Sequence, residues 1–597
     1  MTKRNLFAFC VLQGLLWCVA SIGYFYVNGF AADRTGHLFT FFFVTGHTFL
    51  FAWLLGLLCT PFAYLGPKAL QTACVSGGSI LSAWLGVDLI VFAQYRFHID
   101  LALLEMFFGP AGGEIFAFPA GLWTMAALGT LAIIAVEAGL VYLSKRLTLS
   151  NRWIAGLLGL WLVCFVGYNG LYAWGKFYLI PSVISQQKVL PFAYPLSANR
   201  QLEKWGFSPK KDPLSTHASG SLRYPLATLT CHPPTVAKNI LIFMIDAWRA
   251  DMLTEQIMPQ LSSWTQQPGM HIFTNHLSGG NSTMGGVFSL FYGMPHSYWD
   301  DFTSQHLPPL LISQALSLGY EPGIFASSKL TSPAFDRNIF ATIPHLRIGS
   351  AGNSSWERDE NAVKDFEHFL DTRNPKQPFF GFIFLDAPHG YSSPSAEKPF
   401  TPAKEMNYLL LTNHTDPTPY LNQYKNAVHF TDRLIGHVFT DLQKRHLLEN
   451  TVIILTADHG QELNDSHRNF WGHNGNFTDY QTKVPLVIYD ASNPKSVRLE
   501  YRTTHHDIAP TVLQNLYGCT NPAEDYTLGR NLFDSTPRPP LVSAGHTEKV
   551  IRWGDDILVF NKFGRMEQYN HRLEPVSQPL PPEKIQEGLK AFSRFYK

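Results

Sequence analysis

The chain has 597 residues and a formal net charge of +1, so it is too long for one hydrophobic core and has no cation excess suited to a polyanion. Aromatic residues make up 14% of the sequence and charged residues only 15%, which is typical of a membrane protein. These values exclude a nucleic-acid-binding protein and predict at least two structural units.

The first 177 residues contain the apolar excess. Each apolar segment has about 20 or more residues, enough to cross a hydrocarbon core of about 30 Å as a helix. The segments lie at roughly 6–28, 38–65, 71–95, 119–144 and 153–176. The first is too long for a signal peptide and lacks a small-residue cleavage site, so we interpret it as an anchor. A five-helix transmembrane domain over residues 1–177 is therefore expected, which excludes a soluble protein.

The cations that flank these segments predict the orientation of the chain. Most of them fall before the first segment, between the second and third, and between the fourth and fifth: Lys3, Arg4, Lys68, Lys145, Arg146 and Arg152. The alternate loops offer only Arg34 and Arg96. The positive-inside rule then puts the N-terminus in the cytoplasm and the chain after about residue 177 on the other side.

Three polar residues, His47, Asp88 and Glu137, lie inside the predicted spans. A charge at mid-membrane costs about 2.5–3.5 kcal/mol on insertion scales, so such residues usually face other helices. Hydrogen bonds between helices and contacts with a lipid or partner are both open interpretations.

Residues 178–235 form a predicted linker that contains the stretch SVISQQKVLPFAYPLSANRQLEKWG. Pro191 and Pro195 rule out a continuous helix, and Tyr194 lies near the cations Lys188 and Arg200. The segment is either a linker that runs along the membrane surface or a lipid site, with cations for phosphates and aromatic rings for acyl chains.

Five of the seven cysteines fall in the predicted spans and are interpreted as apolar filling. Cys231 and Cys519 lie in the exported part, where a disulfide is allowed, but the sequence does not decide whether they pair. Neither has CxxC spacing, so thiol redox chemistry and a zinc knuckle are not expected.

Residues 236–597 are predicted to form a doubly wound α/β domain, because short buried strands alternate with helical stretches. The apolar run of KNILIFMID is followed by Asp246, and that of NTVIILTADHG is followed by Asp458 and His459. In NPKQPFFGFIFLDAPHG the apolar run is followed by Asp386 and, three residues later, by His389. Ligands bind at the carboxyl ends of strands in open α/β sheets, so these residues are expected at a functional site.

The loop SGGNSTMGG carries two adjacent hydroxyl groups, Ser282 and Thr283. Asp246, Asp458 and His459 are predicted to bind one or two divalent ions, since carboxylates and imidazole suit Mg²⁺, Mn²⁺ or Zn²⁺. Such an ion lowers the pKa of a coordinated hydroxyl, so Thr283 is the predicted nucleophile and a further ligand, with Ser282 as the alternative. A polar turn beside a structural salt-bridge cluster is the competing interpretation.

Two further histidines are candidate catalytic residues. His389 could hold a substrate phosphate or protonate a leaving group, and a solvated loop histidine is the alternative. His473, in FWGHNGNF, could assist a second ion or the leaving oxygen.

The stretches NILIFMIDAWRADM, NTVIILTADHG, KVPLVIYD and THHDIAPTVL, within residues 238–515, resemble the sulfatase branch of the alkaline phosphatase superfamily. The Cys/Ser-x-Pro-x-Arg element of sulfatases is missing, which disfavours sulfate ester hydrolysis. The threonine is placed more as in the membrane-anchored lipoteichoic acid synthases and phosphoethanolamine transferases, which also have five spans. This resemblance implies a five-helix bundle followed by a sulfatase-like periplasmic domain. It also implies a metal-dependent phosphoric ester hydrolase or phospho-headgroup transferase.

The whole chain is similar to the YejM (PbgA) group of bacterial inner-membrane proteins, through VDLIVFAQYRFHI, LPFAYPLSANRQLEK, LSGGNSTMGGVFSLFYGMPHSYWD and ASSKLTSPAFDR. This resemblance implies a lipid A site in the linker and contacts of the spans with cardiolipin or the adaptor LapB. The implied lipid-binding residues are Lys188, Pro191, Tyr194, Pro195, Ser197 and Arg200. Two functions stay open: phosphoryl chemistry in the homeostasis of outer-membrane lipids such as lipopolysaccharide and cardiolipin, and non-catalytic lipid A sensing that regulates LpxC proteolysis through LapB.

Overall fold

The structure is a computed structural model of the full chain. It describes residues 1–31, 33–95, 98–99, 120–178, 180–184, 186–187, 189–207, 222–304, 307–331, 333–545, 548–561 and 566–595. The chain divides into two compact units, the first spanning Met1–Pro213 and the second comprising Leu214–Asn561 and Met566–Lys597.

The first unit is helical. Its helices are α1 (Lys3–Asn28), α2 (Arg34–Cys59), α3 (Pro67–Tyr95), α4 (Ala120–Arg146), α5 (Asn151–Phe177), α6 (Pro181–Ile184) and α7 (Asn199–Lys204). Among the described residues, five helices are long and apolar enough to cross a membrane, with mean hydropathies of 1.6–2.0. They coincide with the five predicted spans to within a few residues at each end.

Polar side chains inside the spans join helices to one another. One carboxylate oxygen of Glu137 accepts hydrogen bonds from Gln13 Nε2 at 3.0 Å and Ser82 Oγ at 2.6 Å. Asp88 accepts a hydrogen bond from Tyr24 OH at 2.7 Å. These bonds link α1 to α3 and α4. Glu137 and Asp88 therefore form hydrogen bonds between helices, which is the first of the two interpretations left open by the sequence.

The second unit is built on strands. They are β1 (Asn239–Ile245), β2 (Met270–Phe273), β3 (His276–Leu277), β4 (Glu321–Ala326), β5 (Phe379–Leu385), β6 (Thr451–Ala457), β7 (Glu462–Leu463), β8 (Trp471–Gly472), β9 (Leu486–Tyr489), β10 (Val497–Leu499), β11 (Thr503–Thr504), β12 (Leu541–Ala544), β13 (Glu548–Trp553), β14 (Asp556–Asn561) and β15 (Met566–Asn570). Its helices are α8 (Pro259–Trp264), α9 (Thr283–Tyr292), α10 (Trp299–Ser304), α11 (Leu310–Ser317), α12 (Ser355–Thr372), α13 (Thr418–Lys444), α14 (Asp479–Thr482), α15 (Ile508–Asn515) and α16 (Pro582–Ser593).

The main sheet has seven strands in the order β10-β2-β9-β6-β1-β5-β4. Its centre is parallel, because β1 pairs in parallel with β5 and β6, and β4 with β5. Every residue of β1, β5 and β6 is buried, as expected for strands covered on both faces. Alternate residues of β1 enter two different hydrophobic clusters, one on each face of the sheet. The predicted doubly wound fold is confirmed, although β9 runs antiparallel to its neighbours β6 and β2.

A second, antiparallel sheet follows in the order β12-β13-β14-β15, and α16 packs on it. Val542, Ile551, Leu558 and Phe592 form its separate small core. This sheet is not predicted from the sequence, because its strands are short and their alternation is interrupted by charged residues.

Cys231 and Cys519 form a disulfide within the second unit, which closes a loop of 288 residues. Replacing both by serine is expected to lower the free energy of unfolding of this unit by about 2–5 kcal/mol, because the unfolded chain regains the freedom of that loop. Thermal unfolding of the purified protein measures the change. Treating the wild type with a reductant should produce the same drop, and an unchanged melting temperature in both experiments would contradict the prediction.

Candidate active site

Three aspartates lie side by side at the carboxyl edge of the parallel strands. Ile245 of β1 is in register with Leu385 of β5 and with Ala457 of β6, the last residue of each strand. The residue that follows each of the three is an aspartate: Asp246, Asp386 and Asp458. The strand register therefore brings together carboxylates that are far apart in sequence.

The loop that precedes α9 delivers a hydroxyl group to this edge. Ser282 is the N-cap of α9, and its Oγ accepts a hydrogen bond from Gly285 N at 3.3 Å. Thr283 is the first residue of the helix, where unpaired N–H groups favour a nearby negative charge. The two hydroxyls predicted as alternatives thus have different environments: Ser282 caps the helix, and Thr283 faces the aspartates.

Four polar groups converge at this point. Thr283 Oγ1 lies 3.4 Å from Asp246 Oδ2 and 3.3 Å from His459 Nε2. His459 Nε2 lies 3.5 Å from Asp246 Oδ1 and 3.4 Å from Asp458 Oδ2. Ligands about 2.0–2.2 Å from a tetrahedral Zn²⁺ are about 3.3–3.6 Å apart, so these separations suit a small divalent cation.

The unsatisfied atoms of the cluster also fit a cation. Asp246 Oδ1 and Asp458 Oδ2 are buried and have no hydrogen-bond partner within the described part of the chain. His459 Nδ1 donates to the carbonyl of Gly460 at 2.8 Å, which leaves Nε2 as the acceptor of the neutral ring. Burial, followed by the charge of Asp458, raises the pKa of Asp246 well above its ordinary value. Acceptors gathered without donors are destabilising unless a cation binds among them.

A second group of potential ligands shares Asp246. Asp386 and His389 complete it, with His389 Nδ1 3.4 Å from Asp386 Oδ1. Burial alone would lower the pKa of His389, but the charge of Asp246 and the hydrogen bond and charge of Asp386 raise that pKa to about 10. With no ion bound, this shift favours the protonated form of His389. Its side chain is 35% exposed, so His389 lies beside the carboxylates and is also in contact with solvent.

The helix α12 holds Asp386 in place. Arg358 Nη2 and Ser355 Oγ donate to Asp386 Oδ2 at 3.0 and 2.9 Å. The carboxylate of Asp359 accepts the backbone N–H groups of Asp386 and Ala387, both at 2.8 Å. One turn of α12 thus fixes both the side chain and the backbone at this strand end.

His473 lies beside both other histidines of the cluster. Its ring centroid is 4.3 Å from that of His459 and 5.2 Å from that of His389. Its Nδ1 donates to Gln461 Oε1 at 3.1 Å, and Gln461 Nε2 donates to Tyr391 OH at 2.6 Å. The predicted catalytic and metal-binding residues therefore all lie in one cluster.

The predicted lipid-binding residues fall in the first unit. Pro191 and Pro195 are buried, whereas Tyr194 is 85% exposed and Ser197 is exposed. Lys188 and the side chain of Arg200 lie outside the described part of the chain. The carbonyl oxygen of Pro191 is hydrogen-bonded to His47 Nε2 at 2.8 Å, and Asn169 Oδ1 accepts a hydrogen bond from Leu196 N at 2.9 Å. The segment therefore packs against α2 and α5.

Asp386 was expected at the functional site without a specific role, whereas Arg358, Ser355 and Gln461 were not identified from the sequence. For Asp386 a signal was present, since it ends a buried strand in the same way as Asp246. The other three lie on a helix or in a loop, and only the packing of those segments on the sheet brings them to the site.

Gly286 allows α9 to approach β6. A Cβ atom on this residue would lie 1.9 Å from the carbonyl oxygen of Asp458. Gly286→Ala is therefore expected to lower the free energy of unfolding by about 1–3 kcal/mol and to separate Thr283 from Asp458. Thermal unfolding and metal content of the purified variant measure both effects. Gly349→Ala is the matched control, because its nearest backbone oxygen is at 3.4 Å, an ordinary contact; equal behaviour of the two variants would contradict the prediction.

Comparisons with known proteins match both parts of the chain. Residues 238–518 match the Sulfatase family model, and residues 4–231 match a domain of unknown function, DUF3413. The chain is 24% identical to an inner membrane protein of Salmonella typhimurium named YejM, over 96% of this chain and 93% of that protein. It is 25% identical to an uncharacterized protein of Haemophilus influenzae, over 86% and 82% of the two chains.

The fold is similar to that of the integral membrane lipooligosaccharide phosphoethanolamine transferase A of Neisseria meningitidis. The TM-score is 0.53 at 15% identity, and the match covers 88% of this chain and 98% of that one. Residues 238–518 thus form a sulfatase-like domain, which follows an N-terminal set of five apolar helices. Over almost its whole length the chain is similar to inner membrane proteins of the YejM type.

Proposed function

We propose that the second unit is a metal-dependent phosphoric ester hydrolase or phospho-headgroup transferase with Thr283 as its nucleophile. The observation that carries the proposal is the gathering of acceptors at the ends of β1 and β6. Two buried carboxylate oxygens without donors in the described chain, of Asp246 and Asp458, face the acceptor nitrogen of His459 and the hydroxyl of Thr283.

Asp246, Asp458, His459 and Thr283 would hold one ion, and Asp246, Asp386 and His389 would hold a second if two bind. A bound divalent ion supplies charge neutralisation at the phosphoryl group and a lower pKa for a coordinated hydroxyl. The acceptors nearest to the hydroxyl of Thr283 are Asp246 Oδ2 at 3.4 Å and His459 Nε2 at 3.3 Å, and with an ion on His459 the proton passes to Asp246.

The reaction that fits these residues has two halves. Thr283 Oγ1 attacks phosphorus and the bond to the leaving oxygen breaks, which gives a phosphothreonine. His473, or His389 when only one ion binds, donates a proton to the leaving oxygen. Water or an acceptor hydroxyl then attacks the phosphothreonine and regenerates Thr283. Water gives a hydrolase, and an acceptor hydroxyl gives a transferase.

The substrate that fits this setting is a phosphate-bearing lipid of the cell envelope. The distribution of cations around the five helices supports an N-terminus in the cytoplasm and a second unit in the periplasm. The disulfide between Cys231 and Cys519 supports the same orientation, since disulfides persist in oxidising compartments. The relatives named inner membrane proteins support a site in the bacterial inner membrane.

Turnover of a phosphate monoester, a phosphate diester and a phosphoethanolamine lipid by the purified full-length protein tests this proposal. A chelator should abolish turnover, and Mg²⁺, Mn²⁺ or Zn²⁺ should restore it. Turnover that survives the chelator, or its absence with every ion and substrate, would contradict the proposal.

A second function, lipid A sensing without catalysis, is supported by the segment 189–198. Its hydrogen bonds to His47 and Asn169 hold an irregular chain with Tyr194 exposed, as a lipid-binding surface requires. In this proposal cardiolipin or a LapB-like adaptor contacts the spans, and the output is control of LpxC proteolysis. Tyr194→Ala should lower the amount of lipid A retained by the purified protein. Tyr64→Ala is the control, since Tyr64 is similarly exposed at 82%; equal retention in both variants would contradict sensing at this segment.

A further inference from the structure

A cavity of about 340 Å³ lies in the second unit, apart from the cluster around Thr283. Its wall is formed by the segment after β11, the chain leading into β12, and the helix α16. The volume is in the range of small-molecule sites. The charged side chains that line it are Arg530, Arg538, Lys590, Arg594, Asp507 and Glu587.

The two acids of this lining already have cationic partners. Asp507 Oδ1 accepts from Arg538 Nη1 at 2.7 Å, and Glu587 is 3.0 Å from Lys584 Nζ, a residue outside the lining. The lining therefore has two more cations than carboxylates, and one of its two acids is compensated from outside. A cavity with this balance favours an anion.

The remaining cations keep donors for a ligand. Arg594 donates from Nη1 to the carbonyl of Thr527 at 3.3 Å, and Lys590 forms no ion pair within the described residues. Arg530 Nη1 is bonded to Thr536 Oγ1 at 2.6 Å and lies 3.4 Å from the carboxylate of Asp534. Arg530, Lys590 and Arg594 therefore line the cavity, and among the described residues none of them forms an ion pair with a carboxylate of its wall.

Two buried nitrogen atoms in the wall also lack partners. They are Arg538 Nε, which is a donor, and His506 Nε2, whose role depends on the tautomer; neither has a hydrogen-bond partner among the residues that the structure describes, and both residues line the cavity. The side chain of Arg538 is only 9% exposed. A buried arginine whose donors are incompletely used is destabilising unless a further acceptor binds near it.

The rest of the wall is apolar. Pro539, Pro540 and Leu541 form one side and Ala591 lies on another. We propose that this cavity binds a small organic phosphate, with the phosphate group among Arg530, Lys590 and Arg594 and the organic part against the prolines. The ligand is either a free phosphate ester or the headgroup of a phospholipid, since both present the same group.

The site is separate from the proposed nucleophile but lies behind its loop. A cavity of about 20 Å³ shares Thr504, Leu541 and Val542 with it and is also lined by Ser278 and Gly279 of the loop before α9. Binding in the basic cavity does not require Thr283, so it is testable whether or not the second unit is catalytic.

Hydrogen–deuterium exchange of residues 582–593 in the full-length protein tests the proposal. If the ligand is soluble, adding glycerol 3-phosphate or inorganic phosphate to the protein in phosphatidylcholine nanodiscs should slow exchange of this helix. In nanodiscs that contain phosphatidylglycerol, the helix should be slowed without added ligand if the ligand is a headgroup. Slowing in either arm supports the site and identifies the source, and no slowing in any arm overturns it.

Matched variants locate the effect. Lys590→Gln with Arg594→Gln should weaken glycerol 3-phosphate binding, or the headgroup effect, at least tenfold. Both residues are exposed, so folding should be unaffected, and Lys590→Gln alone is the fallback if the double variant unfolds. Lys376→Gln, at an exposed lysine outside the cavity wall, should change affinity less than twofold. Binding in the double variant equal to that of the wild type would overturn the proposal.

Discussion

Thr283→Ala is expected to lower phosphoryl turnover at least about 10³-fold, because it removes the attacking oxygen and Ser282 Oγ is engaged in capping the helix. The variant should still bind a divalent ion through Asp246, Asp458 and His459. Turnover and metal content of the purified protein measure these two outcomes independently.

The neighbouring hydroxyl provides the control for this variant. Ser282→Ala should retain turnover and lose only its N-cap bond to Gly285, which is expected to cost about 1 kcal/mol of stability. If Ser282→Ala abolishes turnover while Thr283→Ala retains it, the nucleophile has been assigned to the wrong residue.

Asp246→Asn is expected to abolish most of the stabilisation that a bound metal gives. In the wild type a divalent ion at about 100 times its dissociation constant should stabilise the fold by about 2.7 kcal/mol, whereas the variant should gain little. In the presence of a chelator the variant should be more stable than the wild type, because it no longer buries a carboxylate beside Asp458. Thermal unfolding with and without metal measures both quantities.

The pH dependence of the metal-free protein follows from the same carboxyl group. Burial raises the pKa of Asp246 in the folded state, so the folded protein binds more protons than the unfolded chain above the ordinary value of 3.8. The contribution of Asp246 to the free energy of unfolding is therefore greatest below about pH 3.8, and it is lost as the pH rises from 3.8 to the raised pKa of the folded state. Asp246→Asn should remove this slope, and Asp371→Asn, an exposed acid paired with Arg445, should keep it. Identical slopes in both variants would contradict the account.

Local sequence pattern was sufficient for the five spans, for the three central strands and for the acids at their ends. The apolar runs of β1 and β6 predict buried parallel strands, and the positions of Asp246 and Asp458 then follow from the direction of the chain. The five spans are similarly predictable, because length and hydropathy decide whether a helix can cross a membrane.

Long-range contacts were not predictable in the same way. Arg358 reaches Asp386 only because α12 packs beside β5, and no spacing in the sequence reports that packing. The pairing of Cys231 with Cys519 joins segments 288 residues apart. The antiparallel sheet after Leu541 depends on contacts between short strands, which single-sequence patterns do not specify.

The most direct test of the central claim is a search for the covalent intermediate. The purified protein is mixed with a phosphate ester in the presence of the activating ion and quenched with acid, and the peptides are sequenced by tandem mass spectrometry. The account predicts a phosphoryl group on Thr283 that appears and decays with turnover and is missing in Thr283→Ala. Turnover without label at Thr283, or a label on another residue of the cluster, would contradict it.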